Sequence, residues 1–115
     1  MKNTFALAHL GVNTPNPGEA EKLAGLLSLM FNLTPRHGQK SEFAGDYFEC
    51  MKAPFLGTLG HVALSTPDLE AAVEELKGKG FAFNMDTAAY TEDGKLKNVY
   101  LEGEYGGFAI HIMRK

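Results

Sequence analysis

The sequence predicts an α+β fold in which one β-α-β-β-β unit is used twice within a single domain, and three observations carry that reading. The two halves begin almost alike: Ala8 to Asn16 reads AHLGVNTPN and Gly60 to Asp68 reads GHVALSTPD, with His9 at the place of His61. They also end alike, FAGDYFECMK (Phe43 to Lys52) against YGGFAIHIMR (Tyr105 to Arg114), which sets Glu49 on His111. Between these ends the apolar period changes from two to about 3.6 and back, once in each half. The first unit spans about residues 1 to 54 and the second about 57 to 115, joined by Ala53-Pro54-Phe55-Leu56-Gly57. So short a link makes the halves modules of one fold.

Residues 5 to 13 form the first strand, with Ala8, Leu10 and Val12 on one face and His9 on the other. Asn16 then caps a helix over Pro17 to Phe31: Glu19 stands at capping-box distance, and a proline loses nothing in a first turn whose donors are unpaired anyway. Ala20, Leu23, Ala24, Leu27, Met30 and Phe31 make its inward stripe, and Gly25 weakens the helix without ending it. Three strands follow near Leu33 to His37, Ser41 to Ala44 and Tyr47 to Met51, with Gly38 in the first turn. In the second unit a strand from His61 leads to a helix over Pro67 to Lys77, capped by Thr66. Leu69, Ala72, Val73 and Leu76 face inward there, and Gly78 or Gly80 is the stop. Strands at Phe81 to Asp86, Lys97 to Leu101 and Phe108 to Met113 complete the unit, with Glu92-Asp93-Gly94 as the turn between the first two.

Composition narrows the function. With 115 residues, 44% of them hydrophobic, the chain is long enough for one core. A net charge of -3 and scattered basic residues give no stripe for a phosphate backbone, so nucleic acid is not an expected partner. No stretch approaches the ~20 apolar residues of a membrane span, and the N-terminal run lacks a leader's length and cleavage site. The single cysteine, Cys50, cannot pair internally and fits a reducing compartment; a cytoplasmic location is expected. By strand parity Cys50 points to the helix side as inert core.

The candidate chemistry lies on the opposite parity. His9 and His61 sit on the first strands of the two units, and Glu49 and His111 on the last. Phe48 and Cys50 flank Glu49, and Ile110 and Ile112 flank His111, so these apolar flanks take the helix side. Any one of the four reads as a satisfied strand residue. Together, three imidazoles and a carboxylate on one sheet face would be costly without compensation, and a divalent cation is the compensation that needs all four.

A strand and helix repeat with facing ligands resembles the vicinal oxygen chelate superfamily, the group of glyoxalase I, methylmalonyl-CoA epimerase, extradiol dioxygenases and fosfomycin-resistance proteins. The resemblance covers essentially the whole chain, and GHVALS (Gly60 to Ser65) is its most specific piece. It implies two βαβββ modules curled into a cupped mixed sheet, the glyoxalase fold, with the metal held by the first and last strands of each: His9, Glu49, His61 and His111. Within the group, AHLGVNT, FAG, MKAP, GHVAL and VYLEGEYGGFAIH look closest to small glyoxalase-like domains joined to, or found alongside, 2-keto-3-deoxy-6-phosphogluconate/4-hydroxy-2-oxoglutarate aldolases. The glyoxalases and the epimerase usually carry Glu at the final position, where this chain has His111 and keeps its carboxylate at Glu49.

Nitrogen and oxygen ligands favour Zn, Ni, Co, Mn or Fe. Such a site can chelate neighbouring oxygens of a small 2-keto or 2-hydroxy metabolite and stabilise an enediolate, which makes a glyoxalase-type lyase or isomerase the expected function. Glu49 and His111 are the catalytic candidates, the base being Glu49 or a hydroxide held by the ion. From a different class, the alternative is a non-catalytic metabolite-binding or accessory module serving a sugar-acid aldolase. Arg36, Lys40, Lys52 and Arg114 are rim cations that could hold a carboxylate or phosphate, and His37 reads as a surface turn residue. Exposed sheet edges and the resemblance together imply a homodimer.

Overall fold

The computed structural model describes residues 2–115 and shows the chain as one eight-stranded mixed sheet with both helices packed on one face. Module one comprises β1 (Ala6–Asn13), α1 (Pro17–Phe31), β2 (Pro35–His37), β3 (Ser41–Ala44) and β4 (Phe48–Met51). Module two repeats that order as β5 (Gly60–Thr66), α2 (Leu69–Gly78), β6 (Phe83–Tyr90), β7 (Leu96–Leu101) and β8 (Phe108–Arg114). Across the sheet the strands run β2-β3-β4-β1-β5-β8-β7-β6, so the modules meet where β1 pairs antiparallel with β5. Outside that seam β1 pairs parallel with β4, and β5 parallel with β8. The order is the same read from either edge, with an approximate twofold at the seam. Among the described residues, no helix is long and apolar enough to cross a membrane.

The helix side carries the core. In module two, Leu69, Val73, Phe83, Leu96, Val99, Leu101 and Ile112 form one buried cluster. Module one packs with smaller groups, Ala20, Ala24, Ala44 and Cys50, backed by Leu23, Leu27, Leu33 and Phe48. Small residues let α1 lie close to β3 and β4. Asn16 caps α1 by accepting the Glu19 N–H at 2.9 Å. Asn13 fixes the linker from the other side: its Oδ1 accepts the Phe55 N–H at 3.1 Å and its Nδ2 donates to Gly57 O at 2.8 Å.

Several boundaries differ from the sequence reading. Met30 and Phe31 are 59% and 61% exposed instead of inward. Asn32, in the left-handed region, ends the helix there, and Leu33 turns back, donates to Ser28 O, and packs on the cluster in their stead. Thr66 does not cap α2. The strand runs through Thr66 and buries its side chain, so Asp68 takes the cap and accepts the Ala71 N–H at 3.1 Å. β2 begins only at Pro35, and β6 is displaced to Phe83–Tyr90, because it crosses register shifts between Asn84 and Tyr90 that break the period of two.

The division between core and exposed positions gives a direct contrast. Leu69→Ala removes a fully buried side chain and is expected to cost about 2–5 kcal/mol. Met30→Ala should stay within about 0.5 kcal/mol. Urea unfolding of both variants checks this, and equal losses would mean that α1 buries its last turn after all.

Candidate metal centre

The pairing register brings the four sequence candidates into two adjacent rows on the face away from the helices. Gly11 on β1 lies between Glu49 on β4 and His61 on β5. Two pairs further along, beyond Leu10 and Val62, Ala63 on β5 lies between His9 on β1 and His111 on β8. The pseudo-twofold exchanges these rows, since Gly11 corresponds to Ala63 just as Glu49 corresponds to His111. All four side chains come from one chain.

The contacts are close. His9 Nε2 and His61 Nε2 stand 3.2 Å apart, and each is 3.2 Å from Glu49 Oε1. His9, His61 and His111 each offer a ring nitrogen, all within 4.8 Å of one another. The Ser41 hydroxyl, itself buried, donates to Glu49 Oε2 at 2.7 Å. Tyr100, paired with His111 across β7 and β8, stacks on its ring at 4.3 Å between centroids and 5° between planes. A cavity of about 250 Å³ opens over the cluster, with Lys40, Met51 and Phe55 among its walls.

Gly11 is the residue on which this geometry turns. A Cβ there would lie 2.0 Å from His61 Cε1, 2.3 Å from Nδ1 and 2.5 Å from Nε2, so the imidazole occupies the space a side chain would fill. Sequence reasoning missed Gly11, Ser41 and Tyr100. A signal for the first was present: in both AHLGV and GHVAL a small residue follows two places after the histidine, on the same strand face.

The electrostatics favour a cation. Burial pushes the Glu49 carboxyl up, but hydrogen bonds from His61, His9 and Ser41 outweigh it and hold the group well below the usual carboxylate range. Burial, then the neighbouring His61 and His9, push the His111 imidazole down to about 4 against an opposing pull from Glu49, so it is neutral at pH 7. Burial and the Glu49 charge push the Tyr100 hydroxyl up to about 12. Among the described residues five buried side-chain polar atoms lack a hydrogen-bond partner, and three of them are His61 Nδ1, His111 Nδ1 and His111 Nε2. A divalent ion fits this donor set: it would draw on a carboxylate and on imidazoles that are otherwise unsatisfied.

The rim cations separate in the structure. Arg36 lies over the Phe43 ring at 3.8 Å. Lys52 pairs with Glu42 Oε2 at 3.3 Å, and Arg114 pairs with Glu70 while donating to Leu96 O at 2.9 Å. Only Lys40, of the four, lines the cavity. His37 is exposed and bonds Glu42.

Fold and site together define a vicinal oxygen chelate fold with a cluster of metal-ligand type on its open face. Solved structures agree on the fold. A hypothetical protein from Bacillus halodurans matches with a TM-score of 0.65 at 14% identity over 97% of this chain and 95% of that one. Methylmalonyl-CoA epimerase from Mycobacterium tuberculosis matches at 0.61 and 15% identity over 94% and 86%, and a second structure of a methylmalonyl-CoA epimerase at 0.62 and 17% over 99% and 98%. No protein-family profile and no curated protein matches the chain.

Two outcomes follow from the geometry. Gly11→Ala should drive the His61 ring off Glu49, visible in a crystal structure, and cost roughly 1–3 kcal/mol through overpacking; an unmoved ring at unchanged stability would show that the strands simply part. The second concerns acid. Folded His111 takes up its proton only near pH 4, whereas an unfolded histidine does so at about pH 6.5. The unfolded chain therefore binds more protons in that window, and the metal-stripped protein should lose stability as pH falls from about 6.5 to 4. His111→Phe should flatten the pH dependence of thermal unfolding there, and an unchanged slope would remove His111 as its source.

Proposed function

We propose that the chain is a divalent-metal-dependent isomerase or lyase of the glyoxalase type, acting on a small 2-keto or 2-hydroxy metabolite by enediolate stabilisation. The observation that carries this is the convergence of His9, Glu49, His61 and His111 on one cavity wall, with both His111 nitrogens unpartnered. Zn, Ni, Co, Mn or Fe suits such a set. When bound, the ion supplies chelation of adjacent substrate oxygens and polarisation of the carbonyl.

The protein supplies the rest. Met51, Phe55 and Tyr100 give the cavity apolar walls that limit water. Ser41 fixes Glu49, and Tyr100 fixes the plane of His111. Glu49, with Ser41 donating to its second oxygen, would hold the ion as a carboxylate or serve as the base. His111, neutral at pH 7, either completes the ion's shell or takes the proton from the carbon beside the carbonyl. Substitution separates these roles: His111→Gln lowers metal affinity by orders of magnitude in the first, and in the second leaves the metal in place while proton exchange stops.

The reading is tested by metal analysis and by deuterium exchange of a 2-keto acid panel and methylglyoxal hemithioacetal in D2O. His61→Ala should weaken metal binding by roughly 10-fold to 100-fold or more while the fold persists. Stoichiometric metal in a His9→Ala/His61→Ala double variant would sink the proposal.

One observation favours a second reading, a non-catalytic binding or accessory module. Among the described residues Glu49 is the only carboxylate lining the cavity, and it is already engaged. A metal-loaded protein that binds the panel yet exchanges no proton is the result this reading expects. Its partner would be a sugar-acid aldolase, detectable by co-elution of the two purified proteins.

A further inference from the structure

Beyond the cluster, the cavity wall shared by Lys40, Met51 and Phe55 continues into a second cavity of about 400 Å³, also bordered by Lys52 and the Ala53-Pro54 link. Lys40 therefore stands where the two spaces adjoin. Its ammonium has no ion-pair partner among the described residues, whereas Lys52, the other cation of the second cavity, is already held by Glu42.

The backbone beneath Lys40 is fixed. Lys52 Nζ donates to Gly38 O at 2.8 Å and Lys52 N donates to Lys40 O at 3.0 Å. Gly38 N donates to Ser41 O at 2.9 Å, closing the turn, and the Ser41 side chain is tied to Glu49. One short turn thus carries both the Ser41 hydroxyl, bonded to Glu49, and Lys40, which lines both cavities. Phe55, which lines both cavities with Lys40, sits on a linker pinned by Asn13. The other residues that the two cavities share, Met51 and Phe55, are apolar.

We infer that the ligand is a dianion: a chelating 2-keto or 2-hydroxy acid head lies at the histidine cluster, and a second anionic group, carboxylate or phosphate, joined by a short carbon spacer, is held by Lys40. This rests on the metal-centre reading proposed above. A divalent ion and the Lys40 ammonium, offset by the Glu49 carboxylate, leave two positive charges, which a dianion neutralises and a monoanion does not. Apolar Met51 and Phe55 suit the carbon spacer.

The test compares lactate, malate and 2-hydroxyglutarate, which share one chelating head and differ in the second carboxylate and its reach. Their binding to the Zn²⁺-loaded protein is measured by calorimetry for the wild type, Lys40→Ala and Lys40→Arg. At least one dicarboxylate should bind about tenfold tighter than lactate, the size of one charge-assisted contact. Lys40→Ala should abolish that preference while leaving Zn²⁺ and lactate affinity within about twofold, and Lys40→Arg should restore most of it. Equal binding of all three acids, or a preference that survives Lys40→Ala, overturns the inference. Failure of the metal reading looks different: the wild type then takes up no Zn²⁺. The same titrations on the metal-free protein still decide the Lys40 contrast, a Lys40-dependent preference supporting the anion contact and its absence overturning it.

Discussion

Where β1 and β5 pair, the His61 ring fills the volume in which a Gly11 side chain would stand, its Cε1 only 2.0 Å from the position of a Cβ. That single exclusion organises the face. Because Gly11 also pairs with Glu49 on its other side, an imidazole that lies across it reaches the carboxylate of β4, and on this face the two modules touch through functional groups. Ala63, the equivalent residue of module two, is likewise small and wholly buried between His9 and His111.

A cluster of this kind has to be supported by the opposite face, since unpaired buried polar atoms oppose folding. The support is unequal. Module two buries Leu, Val, Phe and Ile, while module one relies on alanines and Cys50 under α1. Apolar burial scales with area, so module two contributes the larger share of the driving force. Module one gains closeness instead: small residues bring α1 near the short β3 and β4, and that short hairpin presents Ser41 and Glu49. The module with the lighter core is the one that holds the carboxylate and Lys40.

Much of this was legible in the sequence. Strand parity placed His9, Glu49, His61 and His111 on one face and their flanks on the other, because a period of two is a local property that survives folding. The internal repeat set the module order, since a unit used twice reports on itself. Residues whose roles depend on cross-strand register were not legible. Ser41 reaches Glu49 diagonally from β3, and Tyr100 meets His111 only once β7 and β8 are aligned. The fate of the rim cations was equally hidden, because Arg36, Lys52 and Arg114 each find partners that are distant in sequence or set by pairing. The bounds and cap of α1 were legible, whereas the start of α2 was missed for a local reason of another sort, because Thr66 and Asp68 both offered a cap and the strand kept Thr66.

The exchange of Glu for His at the final strand, relative to the glyoxalases and the epimerase that the sequence resembles, is matched by the residues around it. The pseudo-twofold sets Ser41 on Asn98 and Phe43 on Tyr100, since Ser41 pairs with Met51 as Asn98 pairs with Met113, and Phe43 pairs with Glu49 as Tyr100 pairs with His111. In module one the last-strand residue is a carboxylate, and Ser41 supplies a buried hydroxyl donor to its second oxygen. In module two the last-strand residue is an imidazole, and the neighbour is a flat ring lying parallel to it. Exchanging Glu49 and His111 alone would set a carboxylate against the Tyr100 ring face, whose quadrupole repels negative charge, and would leave the Ser41 hydroxyl without its acceptor. The surroundings are therefore fitted to this placement of charge, and the inverted pattern is a property of the whole site rather than of two positions.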